Sequence, residues 1–111
     1  MTKINAERRR FPRIASSNPM LVSPPEASGE RYLHETGVVG MNGLMFRSEK
    51  SYGRGTVLQI DLAVDNRIVE LAGRVAYERI TIVGDLEVGV EFVRVRAGDR
   101  YYLSTLMRMS A

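Results

Sequence analysis

Leu58-Gln59-Ile60-Asp61-Leu62-Ala63-Val64-Asp65-Asn66-Arg67-Ile68-Val69-Glu70-Leu71 is the stretch from which the fold is read. Leu58, Ile60, Leu62 and Val64 alternate with Gln59 and Asp61, so the segment has one apolar face at a period of two. That is the pattern of a half-buried strand. Asp65-Asn66 is a turn signal. Beyond it Val69, Leu71, Gly73, Val75 and Tyr77 alternate against Glu70, Arg74 and Glu78. Residues 58–78 therefore read as an antiparallel hairpin with Tyr77 on the apolar face.

The same period continues on both sides. After the turn at Gly84-Asp85, Val88, Val90 and Phe92 alternate with Glu87, Gly89 and Glu91. Towards the N-terminus, Leu44-Met45-Phe46 makes a strand, and Gly40-Met41-Asn42-Gly43 makes a tight reversal in which Asn42 and the glycines suit positive φ. Arg31 to Val39 carries the strand formers Tyr32, Thr36, Val38 and Val39, and Met20-Leu21-Val22 is a short strand stopped by Pro24-Pro25. The C-terminus changes period. Asp99 follows Gly98 as a helix N-cap, and Leu103, Leu106 and Met107, with Tyr102 beside them, form the apolar face of a short helix over about 99–109. About six strands at this turn spacing predict a mainly β barrel or sandwich with one terminal helix. Residues 1–18 show no sustained period and are expected to be a flexible basic arm; residues 19–111 are expected to be a single domain.

A chain of 111 residues is one domain's worth. It has no cysteine, which excludes disulfides, thiolate catalysis and cysteine-ligated metals. No apolar run approaches the roughly 20 residues that span a bilayer, and no secretory signal opens the chain, so membrane insertion is not expected and a cytoplasmic location is. The net charge of +3 is unevenly placed. Residues 1–13 hold five basic residues, Lys3, Arg8, Arg9, Arg10 and Arg13, against Glu7 alone, a local charge of +4. The remaining eleven basic and twelve acidic residues sum to −1. The whole basic excess therefore sits in the arm, where a general nucleic-acid-binding surface would spread it.

Little else carries chemistry. His34 is the sole histidine, and its neighbour Glu35 points to the opposite face of a strand, so the two make no dyad. The carboxylates fall on polar strand faces and in turns, and no P-loop, dinucleotide fingerprint or EF-hand spacing occurs. The glycine-rich turn at Gly40–Gly43 joins two strands and opens no helix, so it lacks the helix N-terminus of a phosphate cradle. No enzyme, metal or cofactor is expected. The arginines remain. A guanidinium is always charged, and its planar fork fits a phosphate or the O6/N7 edge of guanine. Phe11 adds an apolar anchor, and Pro12 biases it to extended backbone. Such a tract can also bind nucleic acid without specificity, with an affinity that falls steeply with salt.

In Glu7-Arg8-Arg9-Arg10-Phe11-Pro12-Arg13 the residues Arg8, Arg9 and Arg13 match Arg-Arg-x-x-x-Arg, and the chain resembles the PilZ domain family. The resemblance spans nearly the whole chain and includes Gly43-Leu44, Gly73-Arg74-Val75 and Gly89-Val90-Glu91-Phe92. It implies a small six-stranded antiparallel β-barrel with a C-terminal helix, and in many members a receptor for cyclic di-GMP. The family's second motif, Asp/Asn-x-Ser-x-x-Gly, is degenerate here. With its last glycine on Gly43, Val38 stands at the acidic position and Gly40 at the serine. The resemblance thus implies a ligand site of Arg8, Arg9, Arg13, Val38, Gly40 and Gly43, with cyclic di-GMP as ligand. With no catalytic constellation and the basic excess confined to the arm, an unidentified protein partner and no DNA partner are expected, and the terminal helix leaves a monomer or dimer open. The departure at Val38 and Gly40 opens the alternative of a protein–protein adaptor that does not bind the nucleotide.

Overall fold

The computed structural model describes residues 13–15, 17–25 and 29–110. They form strands β1 (Arg13–Ala15), β2 (Pro19–Ser23), β3 (Tyr32–Gly40), β4 (Gly43–Ser48), β5 (Val57–Val64), β6 (Arg67–Ile80) and β7 (Leu86–Val95), followed by helix α1 (Ala97–Ser110). Every pairing is antiparallel. Strands β3, β2, β5, β6, β7 and β4 follow one another around a six-stranded barrel, which the β3–β4 pairing closes. Closure leaves the barrel strands without a bare edge.

The alternation at 58–64 becomes the barrel wall directly. Leu58, Ile60, Leu62 and Val64 are buried, and Val64 pairs with Arg67 across the turn of Asp65-Asn66, where Asp65 takes φ 54°. Met20, Val22, Val39, Leu44, Phe46, Val69, Leu71, Val75, Val88 and Val90 add to the interior from the other strands. Each such side chain contributes about 1.5–3 kcal/mol on full burial. Helix α1 closes the end of the barrel beside this turn. Leu103 is fully buried, and the Tyr102 hydroxyl donates to the Val64 carbonyl at 3.1 Å. Arg67 pairs with buried Asp99 at 3.0 Å, and its guanidinium lies 4.7 Å from the centre of the Tyr102 ring. The positions of Leu106 and Met107 fall within the helix, but their side chains lie outside what is described.

Four local expectations are corrected. Asp99 is not the N-cap: the helix starts two residues earlier, with Arg100 N–H donating to the Arg96 carbonyl at 2.8 Å, and the Asp99 carboxylate neutralises Arg67 from the first turn. The reversal at 40–43 needs no positive φ, because Asp65 is the one non-glycine residue with positive φ among those described, and Gly40 and Gly43 are not among the positive-φ glycines. Tyr77 does not continue the inward row of Val69, Leu71 and Val75. A register shift between Val75 and Tyr77 inserts one residue, and a one-residue slip turns the side chain to the other face. The last corrected expectation concerns Arg13–Ala15, a strand where no period is legible.

Candidate functional site

Strand β1 sets Arg13, the last arginine of the motif, beside the turn residues of the expected site. Arg13 pairs with Gly40, Ile14 with Val39 and Ala15 with Val38. Strand β2 lies further along the same run of β3, with Pro19 opposite Glu35 and Met20 opposite His34. Between the two, Asn18 and Thr36 are locked by two contacts. Thr36 N–H donates to the Asn18 carbonyl at 3.0 Å, and Asn18 N–H donates to the buried Thr36 hydroxyl at 3.0 Å. The chain entering from the arginine motif is thus bound along β3 up to the turn that carries Gly40 and Gly43. Arg8 and Arg9 lie outside the described residues, and Arg13 opens β1.

Gly43 has a steric reason. A Cβ there would stand 2.2 Å from the Val90 carbonyl oxygen, so β4 and β7 come together as closely as they do only because the position is glycine. Next to it, Phe92 N–H donates to the Asn42 carbonyl at 2.8 Å. The backbone of the turn is therefore held from β1 on one side and from β7 on the other. Val38 is half-buried and faces outward, since its neighbour Val39 is a core residue. No hydroxyl or carboxylate stands at either of the two polar positions of the second motif.

The outward face next to this turn was missed from the sequence. Val38 pairs with Met45, Met45 with Gly89, and Gly89 with Tyr77. Tyr77 lies so close over Gly89 that a Cβ at that glycine would be 2.0 Å from its ring. Met45 is the half-buried, outward member between buried Leu44 and Phe46. The turning-out of Tyr77 carried no residue signature, because a bulge adds a residue without changing the alternation of types.

His34 stands apart from the site. Its Nε2 is 2.7 Å from the Tyr52 hydroxyl, and its ring lies 4.6 Å from that of Phe46. Burial pushes its pKa below the ordinary histidine value, against a smaller raising effect from the backbone of Arg47. Among the described residues, no group of three His, Cys, Asp or Glu is placed to hold a metal, and no helix is long and apolar enough to cross a membrane.

The PilZ domain family model matches residues 7–108, a span that includes the arginine motif and the turn at 40–43. The chain belongs to the PilZ domain family. Among solved structures, the PilZ chain is similar to the Bacillus subtilis inhibitor of motility MotI/DgrA, with a TM-score of 0.83 and 15% identity over 93% of this chain and 51% of that one. It thus spans about half the length of that relative. It is similar to the PilZ domain of YcgR from Escherichia coli with c-di-GMP, at a TM-score of 0.70 and 13% identity, covering 92% of this chain and 90% of that one. It is also similar to PlzA of Borreliella burgdorferi in complex with c-di-GMP, at a TM-score of 0.65 and 11% identity, covering 95% of this chain and 43% of that one. At these identities the likeness is one of fold. No curated protein matches the chain.

Proposed function

We propose that this PilZ chain is a binding module for cyclic di-GMP, not an enzyme, and that it signals to a protein partner by ordering its arginine arm on the barrel. The observation that carries the reading is the β1–β3 ladder, which sets Arg13 opposite Gly40 and Ala15 opposite Val38. Arg8, Arg9 and Arg13 clamp phosphates and guanine edges, and the Gly40–Gly43 turn offers backbone and space. The fold's neighbours that hold c-di-GMP support the same reading. Each hydrogen bond that Val38 and Gly40 cannot make costs about 0.5–1.5 kcal/mol. Affinity therefore stands roughly ten- to a hundredfold below that of a site with both groups. Ligand and free protein differ in the arm, and the signal is the difference in affinity for its two states. Isothermal calorimetry tests the reading: wild type binds cyclic di-GMP, and Arg9→Ala and Arg13→Ala do not. Absence of heat from wild type at millimolar ligand overturns it.

A second reading, an adaptor that binds a protein and no nucleotide, is favoured by one feature. The β6–β7 hairpin exposes Ile80, Ile82 and Val83 at its tip. The tip is braced from below. Arg47 grips Asp85 with two nitrogens, and the Thr81 hydroxyl bonds the same carboxylate. These contacts hold the Asp85 carboxyl below the ordinary carboxylate range. A rigid exposed apolar patch marks an interaction surface. Ile82→Asp abolishes partner capture under this reading, whereas Arg9→Ala leaves it intact.

A further inference from the structure

The tip of the β6–β7 hairpin holds Ile82 fully exposed, with Ile80 and Val83 at 74% and 72% exposure. Strand β5 stops pairing with β6 at Arg74, and β4 reaches only Leu86 on β7, so the tip projects past its neighbours. The turn is closed on itself. Thr81 N–H donates to the Asp85 carbonyl at 2.9 Å, Gly84 N–H to the Thr81 carbonyl at 3.0 Å and Val83 N–H to the Thr81 hydroxyl at 3.3 Å. That hydroxyl donates in turn to the Asp85 carboxylate. Below the tip stands a collar of ion pairs. Arg47 holds Asp85 at 2.7 Å, and Arg79 holds Glu87, which also accepts from the Tyr77 hydroxyl at 2.8 Å. The collar charges cancel.

These features select among occupants. Anchors of protein interfaces are rich in tryptophan, tyrosine and arginine, which hydrogen-bond as they pack. Here the protruding side chains are aliphatic, and the backbone donors of Thr81, Val83 and Gly84 are already bonded within the turn. Hydrocarbon demands the latter, because a backbone donor that enters it without a partner is costly. A collar of free cations would select an anionic surface. A collar whose arginines are paired matches a headgroup layer that itself carries paired opposite charges.

We propose that the β6–β7 tip is a membrane-docking loop: Ile80, Ile82 and Val83 enter the acyl boundary of a zwitterionic bilayer, while Arg47, Asp85, Arg79 and Glu87 stay among the headgroups. The loop docks on one leaflet and spans nothing. Glu91, opposite Gly43, lies further along β7 from Leu86 at the base of the tip. That separation is roughly 17 Å at a strand's rise of about 3.4 Å per residue. It exceeds the Debye length of about 8 Å, so the turn at 40–43 stays in water, beyond the field of the headgroups. Docking is therefore independent of the cyclic di-GMP reading. It gives to lipid the tip that the adaptor reading gives to a protein.

The chain has no tryptophan, so Ile82→Trp reports from the tip alone. With the full chain and phosphatidylcholine vesicles, its fluorescence is expected to shift to the blue and to be quenched by lipid brominated on the acyl chains. Leu33→Trp, at an exposed position on β3, is expected to do neither. Wild type co-sediments with the same vesicles, and Ile82→Leu matches it. Ile82→Asp lowers the partition coefficient by about tenfold or more, the factor that accompanies burial of one aliphatic side chain. Its urea midpoint stays at the wild-type value, because the position is fully exposed. Arg9→Ala partitions as wild type; a loss there would put the contact in the arm and overturn the tip. An equal response from Leu33→Trp would mean adsorption without a docking face, and overturns it too. Wild type that stays in the supernatant at millimolar lipid overturns the proposal and leaves the tip to a protein, whatever the chain does with cyclic di-GMP.

Discussion

Gly43 and His34 show how single residues express the fold, one through space and one through charge. A methyl group at Gly43 collides with a backbone oxygen at 2.2 Å, which no rotamer change relieves. Gly43→Ala must push β4 from β7 and is expected to cost about 1–3 kcal/mol, the range of overpacking. A lowered urea midpoint with an unchanged slope measures it; an unchanged midpoint would refute the close approach. His34 acts through its proton. Its folded-state pKa is depressed by burial against Phe46 and Tyr52, so the folded state binds fewer protons than the unfolded chain at mildly acidic pH. Stability is therefore full above the ordinary histidine value of about 6.5 and declines as pH falls below it, levelling once the folded-state value is passed. In His34→Phe the portion of this slope due to histidine disappears, and urea midpoints at pH 5 and pH 7.5 draw together relative to wild type.

Individual elements were legible wherever burial is one-sided. The hairpin of β5 and β6, strand β7 and the terminal helix follow from alternation or its change of period, because one face of each meets the core, while β2, β3 and β4 follow from short apolar runs and strand-forming residues. Strand β1 was not legible. Arg13-Ile14-Ala15 carries no period, and it is a strand because β3 leaves room for partners beyond β2. The bulge before Tyr77 was hidden for a related reason: Val75-Ala76-Tyr77 reads as plain alternation, and the insertion is set by pairing with β7. Of the candidate site, the arginines stood out by charge and spacing, whereas the turn glycines entered only through the family resemblance. That Val38 continues into Met45 and Tyr77 depends on strand order, which no local pattern encodes. The helix offers a test at this scale. Leu103→Ala removes a fully buried side chain and is expected to cost about 2–5 kcal/mol. Tyr102→Phe, which removes only the hydrogen bonds to Val64 and Asp65, costs about 0.5–1.5 kcal/mol. Chemical unfolding of both variants should preserve that order, and its reversal would mean that the helix is held by its polar latch and not by its plug.

Across the whole molecule, charge and packing are divided between two parts. The barrel and helix supply the buried core, while residues 1–13 supply more than the entire net charge of +3. A dianionic ligand bound by the arginines therefore joins the two parts, and it stabilises whatever it joins. At a free concentration about 100 times its Kd, a ligand that binds only the folded chain adds about 2.7 kcal/mol. For a domain of this size that raises Tm by on the order of ten degrees. Because the attraction comes from the arm's guanidinium groups, it is screened: the Debye length falls from about 10 Å to about 3 Å between 0.1 M and 1 M salt. Differential scanning fluorimetry at a fixed concentration of cyclic di-GMP should show a Tm shift in wild type that shrinks as salt rises. Arg9→Ala should show no shift at either salt. A shift that ignores salt and survives Arg9→Ala would mean that the ligand is gripped by the barrel alone. The concentration of charge in the arm would then serve something other than this ligand.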